Sequence, residues 1–415
     1  MRLKKLTGIL AFLVIYGTSY SEYKFGLDEI LQRAKTESPE VKIEKLNLDI
    51  VKKEKDKTLK NYVLPPIKLE DSDEWKIVKR YGLGVKQFEV TMDVFEGGKS
   101  LNGYKVLKSK LAKAENGVTL SEISAQEAAV AAYFDILNAQ KQIEITNNSI
   151  KALERQRERM YTLYKNGKIV PKSEYLKIEA DIENSKVLNL ENEQKKENIV
   201  GELARILNYP LEADLKMEDF DPVAYLKTKA HLKNEKLGKV EETVLGKNEK
   251  HDLDIAKYNV KLAQSELYPT IYTKYSHTFR ERDEEGWKNV DDDRFELGFR
   301  WTFEWGGTID DIKSKKFAYE QANIKYQDNI KGLTLEMRNQ LNTVKSLFDQ
   351  SQVMKKRADL LKESMKIDSM RYENKLLSTY DYLNSVNKYR TAEEDYYKVQ
   401  RELVLATIKY ENLYR

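Results

Sequence analysis

The sequence predicts a mainly helical fold, in which long antiparallel helical hairpins are combined with two pairs of strands and the whole arrangement occurs twice. An alternating apolar and polar run ends in a Gly-Gly pair at 97–98 and again at 306–307. A long stretch without proline follows each pair and ends in a short polar turn, at 164–167 and at 372–375. Such stretches are typical of uninterrupted helices, and the alternation is typical of strands.

The strand prediction is strongest over residues 295–305, where every odd position is large and apolar. Eleven alternating residues match the length of a tilted transmembrane strand, and the aromatic bulk suits a lipid-facing side. Weaker candidate strands precede each run, at 64–70 and 267–279, and we expect outward loops at 71–79 and 280–293. Soluble hairpins are the alternative. The residues predicted to face lipid are Phe295, Leu297, Phe299, Trp301 and Phe303, with Phe88, Val90, Met92 and Val94 in the first copy.

The helix prediction rests on two heptad series. Ala129 and Met337 lie 208 positions apart, and each belongs to a run of small or apolar residues spaced by seven. Such a seam predicts coiled-coil packing. A rod-like dimeric coiled coil is the alternative, but it does not account for the strands before each helix. The two series are Ala129, Ile136, Ile143 and Ile150, and Ile330, Met337, Val344, Ser351, Ala358, Met365 and Tyr372.

The N-terminus has the pattern of an export signal. Basic residues are followed by an apolar stretch over 6–16 that is short for a membrane span, and then by small residues. We expect a signal peptide over 1–21, cleaved after Ser21, with a single membrane anchor as the alternative. The chain has no cysteine, which excludes a thiol nucleophile, a disulfide framework and a lipidated N-terminal cysteine.

The composition of the chain argues against enzyme activity and against nucleic-acid binding. Charged residues make up 34% of the chain, yet the formal net charge is only +4, as expected of solvated helix faces rather than of a nucleic-acid partner. The three histidines are scattered and no nucleophile motif is present. We therefore expect no enzyme activity, metal or cofactor. No apolar run after the signal approaches the ~20 residues of a spanning helix, so any membrane crossing must use strands.

The order of these elements predicts the domain organisation. A helix leads to Pro65 in the first half and to Pro269 in the second, and strands follow. Prolines and acids interrupt the helical pattern between the halves. We therefore expect a first repeat over 22–208, an inter-repeat segment over 209–247 and a second repeat over 248–415.

This ordered and duplicated set resembles the TolC family of outer-membrane factors. The carrying features are helix-Pro-strand, a strand ending in Phe95-Glu96-Gly97-Gly98, a long helix, the turn at 164–167 and the Tyr-Leu pair at 175–176. The second copy departs from the pattern in two places. Its aromatic is displaced in 303–307, and Lys375 stands where the turn glycine is expected.

Four strands cannot close a barrel, which needs about eight or more, so several chains must share one. The resemblance implies a homotrimer, in which a transmembrane β-barrel in the outer membrane continues into a periplasmic α-barrel. It implies a passive duct of an efflux pump or type I secretion system, supplied by an inner-membrane transporter through a periplasmic adaptor protein. A periplasmic coiled-coil adaptor is the alternative function.

The resemblance also implies two kinds of site. The helix–helix turns match the periplasmic tips at which adaptors dock, and an ordinary helical-hairpin turn is the alternative. The acids Glu174 and Asp381, which follow the turns, match positions that ring the closed aperture, where Asp381 would attract cations. A solvated helix acid is the alternative. The tip residues are Asn166, Gly167, Lys168 and Ile169 in the first turn and Asn374, Lys375, Leu376 and Leu377 in the second.

Overall fold

The computed structural model describes residues 23–64, 66–70, 87–167, 170–211, 215–218, 220–234, 238–283, 286–302, 304 and 306–414. The predicted signal peptide, and the predicted loop at 71–79, lie outside these ranges. The helices are α1 (Leu27–Glu37), α2 (Pro39–Val63), α3 (Lys99–Lys165), α4 (Lys172–Ile206), α5 (Pro222–Thr228), α6 (Val244–Ser265), α7 (Gly307–Glu373) and α8 (Thr379–Asn412). The strands are β1 (Tyr23–Phe25), β2 (Ile67–Glu70), β3 (Gln87–Glu96), β4 (Leu215–Met217), β5 (Thr270–Asp283) and β6 (Gly286–Arg300).

The helices α3 and α7 confirm the predicted long helices. Each has 67 residues and is therefore about 100 Å long at 1.5 Å per residue. They form hairpins with α4, of 35 residues, and α8, of 34. The matching lengths fit the predicted internal duplication, which stays a prediction.

Four strands form one antiparallel sheet in the order β2-β3-β5-β6. The helices beside it pack in the corresponding order, because α2 contacts α3, α3 contacts α6 and α6 contacts α7. Toward the helix–helix turns the order becomes α4-α3-α8-α7. In both layers α7 therefore lies at one end.

The second β-hairpin differs from its prediction at both ends. The segment 280–293, predicted as a loop, is mostly strand, because the ladder continues through the pairs Arg280–Asn289 and Arg282–Trp287. The strand predicted to reach residue 305 ends at Arg300, opposite Thr270. Thr270 is the first residue of β5, so no further ladder partner is present on that strand.

The two Gly-Gly pairs differ in conformation, although the sequence presents them alike. Gly97 and Gly98 have φ of 60° and 84°, in the left-handed region that favours glycine. Gly306 has a φ of −92°, and Gly307 is the first residue of α7. Only the first pair forms a left-handed turn between a strand and a long helix.

Two hydrophobic cores hold the helices together. The larger lies near the middle of α3, where Tyr133 and Ile136 are fully buried against α1, α4 and α8. Here β1 pairs in parallel with β4, which joins the start of the first predicted repeat to the inter-repeat segment. The smaller core lies near the helix–helix turns.

No helix in the described ranges combines the length and the apolar content that a membrane crossing requires.

Candidate functional site

One face of the sheet is apolar and exposed. Residues paired directly across neighbouring strands point to the same face, so the register gives three aligned rows. Phe295, Leu297 and Phe299 are 74%, 72% and 73% exposed, respectively. Side chains of this size on a solvated surface mark a contact with something apolar. The rows are Phe95–Ile271–Phe299, Met92–Thr273–Leu297 and Val90–Tyr275–Phe295.

The structure does not place Val94, Trp301 and Phe303 in the apolar rows. Val94 is unpaired, because the register between β3 and β5 shifts between Asp93 and Phe95. This bulge gives Phe95 the place in the rows that the alternation assigned to Val94. Trp301 is exposed but lies beyond the end of β6, so its assignment to the strand is wrong. Phe303 lies outside the described residues.

A polar row borders this apolar surface. Phe88 pairs with His277, and His277 pairs with Asp293. The His277 Nδ1 lies 2.9 Å from Asp293 Oδ1, to which the Tyr275 hydroxyl donates at 2.6 Å. This row therefore borders the apolar surface on the side of the sheet away from the helices, and beyond it the exposed Phe279 packs against His277 with ring centroids 4.3 Å apart.

The opposite face of the sheet is polar. Lys274 Nζ lies 2.6 Å from Glu89 Oε1, and Arg300 Nη2 donates to Asp93 Oδ1 at 2.9 Å. Both ion pairs bridge strands. The sheet is thus amphipathic, with one face suited to hydrocarbon and one suited to water.

The second tip ends α7 in a Schellman motif. The Leu376 N–H donates to the Arg371 carbonyl at 2.8 Å, and the Lys375 N–H donates to the Tyr372 carbonyl at 3.0 Å. Lys375 has a φ of 64°, the conformation that glycine usually supplies at this position. Leu376 is 71% exposed. In the first tip Asn166 and Gly167 are exposed, while Lys168 and Ile169 lie outside the described residues.

Replacing Lys375 with glycine is expected to stabilise the protein by about 0.5–1 kcal/mol. A side chain in the left-handed region costs roughly 1–2 kcal/mol, part of which the backbone entropy of glycine offsets. Thermal unfolding of the purified protein measures the effect. Lys375→Ala is the matched control, since it removes the long side chain but keeps the strain. An equal gain from both variants would show that backbone conformation is not the cause.

The two turns are joined by the smaller core. The rings of Tyr372 and Tyr382 stack with centroids 4.7 Å apart, and the hydroxyls of Tyr372 and Thr379 lie 3.0 Å apart. Burial raises the pKa of both tyrosines, so both rings are neutral at physiological pH. Arg159 donates from Nη2 to the Glu373 carbonyl at 3.2 Å. The C-terminal ends of α3 and α7 are therefore held side by side.

The two predicted aperture acids have different surroundings. Asp381 is exposed. Its backbone N–H donates to Ser378 Oγ at 3.1 Å, and its carboxylate accepts from the Ser378 hydroxyl at 2.6 Å. This reciprocal pair caps α8. Glu174 is half-buried beside a cavity of about 280 Å³. The cavity lies between the two turns and is also lined by Met160, Leu163, Val170, Tyr372, Lys375, Leu377, Ser378 and Thr379.

Among the residues described, no group of three or more histidine, cysteine, aspartate or glutamate side chains is placed to hold a metal ion. The histidines are far apart in the fold: His231 lies in a short turn after α5, His251 in α6 and His277 in β5. The features that could serve function are therefore a surface, a pair of tips and the helices between them.

An exposed apolar sheet face, continued by helices about 100 Å long, fits the architecture of outer-membrane channels. The family comparison agrees. Residues 247–413 match the family model for outer membrane efflux proteins.

Solved structures show the same fold over nearly the whole chain. The Campylobacter jejuni CmeC outer membrane channel is 15% identical with a TM-score of 0.78, covering 94% of this chain and 85% of its own. The open state of the Neisseria gonorrhoeae MtrE outer membrane channel is 17% identical with a TM-score of 0.73, covering 93% and 88%. The outer membrane protein VceC from Vibrio cholerae is 13% identical with a TM-score of 0.74, covering 92% and 95%.

No curated protein matches the chain significantly by sequence. The resemblance to the TolC family agrees with the family model over residues 247–413 and with the fold shared over nearly the whole chain. The solved structures therefore show the fold of this chain, and the family model adds a likeness to outer membrane efflux proteins over residues 247–413. The matched family is one of outer membrane efflux proteins, and CmeC and MtrE are described as outer membrane channels.

Proposed function

We propose that three copies of this chain form one duct through the outer membrane and into the periplasm, and that substrates leave passively through it. An inner-membrane transporter and a periplasmic adaptor protein would deliver them, in an efflux pump or a type I secretion system. The observation that carries the proposal is the amphipathic four-stranded sheet. A periplasmic adaptor would leave its exposed apolar face without a purpose.

The open edges of the sheet support sharing between chains. The strands β2 and β6 each pair on one side only among the described residues. In hydrocarbon every unsatisfied backbone group costs several kcal/mol, so a spanning sheet must close. Pairing of β6 with β2 of the next copy satisfies both edges, and three copies supply three times four strands.

Apolar stripes on the outermost helices support the same assembly. Val353, Leu360 and Ile367 are exposed on α7 and lie seven residues apart. At the opposite end of that helix layer, α4 exposes Val187 and Leu190. Because α7 and α4 end the layer, these stripes are the surfaces that a neighbouring copy would cover.

Introducing a charge into the α7 stripe, as Leu360→Glu, is expected to weaken the trimer. A buried carboxylate without a partner is costly, and three copies of the interface would each carry it. The control is Lys366→Glu, which places the same charge about 240° around the helix at 100° per residue. Light scattering in detergent measures the mass of each variant. If the trimer of the Leu360→Glu variant dissociated no more readily than the wild-type trimer, the placement of this interface would be contradicted.

The tips are proposed to dock the adaptor. Support comes from the exposed Leu376 and from Tyr380, which is also exposed in the first turn of α8. The cavity beside Glu174 separates the two turns, so one partner could contact both. The first tip would contribute Asn166, Gly167, Lys168 and Ile169, and the second Asn374, Lys375, Leu376 and Leu377.

Single-channel conductance in a planar bilayer tests the duct and the aperture together. Wild-type protein is expected to give small, cation-selective conductance, because three Asp381 carboxylates at the aperture would attract cations. Asp381→Asn should move the reversal potential in a salt gradient toward zero. Asparagine still offers an oxygen to Ser378, so the start of α8 is preserved.

Glu174→Gln is the companion variant for the other acid. If cation selectivity is retained in Asp381→Asn but reduced in Glu174→Gln, the acid that lines the aperture is Glu174 and not Asp381. If ion selectivity were unchanged in both variants, neither acid would line the aperture, but the duct proposal would still stand. Absence of conductance from folded protein would contradict the duct itself.

A further inference from the structure

A cavity of about 200 Å³ lies between α3, α8 and the segment that leads into α5. Its walls include the aromatic rings of Phe134, Phe220 and Tyr397. The rings of Phe134 and Phe220 meet edge to face, with centroids 4.9 Å apart at 80°. The space is therefore bordered by groups that favour another flat aromatic ring.

The charged groups at this cavity are already paired. Lys141 Nζ donates to Glu144 Oε2 at 2.9 Å and lies 5.4 Å from the centroid of the Tyr397 ring. Arg401 Nη2 donates to Asp135 Oδ2 at 2.7 Å. Each cation is thus balanced by a carboxylate. An ionic ligand would have to displace one of these partners, whereas a neutral ligand would not.

Two side chains that line the cavity have a buried polar atom without a hydrogen-bond partner among the described residues, Asn138 and Arg401. Arg401 Nε still lies 2.7 Å from Asp135 Oδ1 in an ion pair, so only the asparagine oxygen lacks any oppositely polarised neighbour. Asn138 lines the cavity, and its Oδ1 is buried without a hydrogen-bond partner among the residues that the structure describes. Buried acceptors in folded proteins are nearly always paired. A ligand with an N–H or O–H group would supply the missing donor.

We propose that this cavity binds a small neutral aromatic molecule, whose ring packs among Phe134, Phe220 and Tyr397 and whose single donor bonds to Asn138 Oδ1. The bound molecule would contact α3, α8 and the inter-repeat segment at once. The site does not depend on the trimer or on transport through it. It is a separate binding function of each chain.

Indole and 1-methylindole are the matched probes, because they share the ring system and differ in the N–H donor. Isothermal titration of the purified full chain in detergent should show indole binding about tenfold more tightly, with titration of protein-free micelles as the blank. Equal affinity for the two compounds, or no binding of indole above the micelle blank, would overturn the proposal.

Variants assign the preference to one atom. Asn138→Leu should abolish the preference for indole and leave the affinity for 1-methylindole within about twofold. Asn148→Leu, on the exposed part of α3, should leave the preference intact. Retention of the preference in Asn138→Leu would place the donor contact elsewhere and overturn the site. If Asn138→Leu does not fold, the difference in affinity between indole and 1-methylindole for the wild-type chain still tests the proposal.

Discussion

Replacing Phe299 with arginine is expected to stop the chain from assembling in the outer membrane. Phe299 lies in an apolar row with Ile271 and Phe95 and is 73% exposed. An arginine on the lipid face costs roughly 2–4 kcal/mol at the bilayer midplane and less toward the interfaces, and three copies in one trimer would each add their share of that cost. Membrane fractionation, followed by electrophoresis of unheated samples, measures the assembled trimer.

Thr278→Arg is the matched control on the polar face of the same sheet. Thr278 pairs with Asp292 and Gln87, so the introduced guanidinium meets a carboxylate instead of lipid. We expect this variant to reach the outer membrane in near wild-type amounts. Equal assembly of both variants would show that the two faces of the sheet are not lipid-facing and water-facing as proposed.

Gly97→Ala is expected to destabilise the protein by about 2–5 kcal/mol. Gly97 has a φ of 60°, and an added Cβ would lie 2.6 Å from the Ser265 carbonyl oxygen and 2.8 Å from Tyr268 Cβ. Left-handed backbone costs an alanine roughly 1–2 kcal/mol, and overpacking against fixed atoms adds about 1–3 kcal/mol. Thermal or denaturant unfolding of the purified protein measures the loss.

The second Gly-Gly pair provides the comparison. Gly306 has a φ of −92°, and a Cβ there would meet no atom within 4 Å. Gly306→Ala should therefore change stability by no more than about 0.5 kcal/mol. If the two alanine variants lost stability equally, the difference in conformation between the pairs would carry no energetic weight.

The helical part of the fold could be predicted from sequence because its signals are local and long. Proline-free heptad stretches give α3 and α7 with their turns close to the predicted places. The strands were located correctly, but their ends were not. The end of a strand depends on where its pairing partner ends. The sequence of β6 alone shows neither that β5 begins at Thr270 nor that the two strands continue to pair beyond Thr278.

Other features could not be predicted because they join distant parts of the chain. The β1–β4 pair links Phe25 to Met217 through strands of three residues, which are too short to show alternation. The bulge at Val94 follows from its register with β5, which no pattern within β3 reveals. Sequence did single out Lys375 as a departure, and its left-handed backbone gives the physical reason.

The candidate site was predictable in part. Alternation in the sequence predicts an apolar strand face, and the residues on it, Phe295, Leu297 and Phe299, are exposed in the structure. That this face contacts lipid is still a prediction. The contact between the two tips was not predicted, since Arg159 and Glu373 are more than two hundred residues apart. The S-x-x-D pattern at 378–381 could have shown that Asp381 also caps a helix. The roles of the aperture acids and of the docking tips remain predictions, because they depend on neighbouring chains.

The unbroken length of α3 gives the protein mechanical leverage. Its buried middle, around Tyr133, lies roughly 50 Å from its C-terminal end at 1.5 Å per residue. A rigid tilt of this half of α3 by about 5° around the buried region would displace the turn at its end by about 4 Å, given the length of the helix. Small adjustments where α3 packs against the inter-repeat segment would therefore become displacements of several ångströms at the turn, which is the place proposed here for adaptor docking.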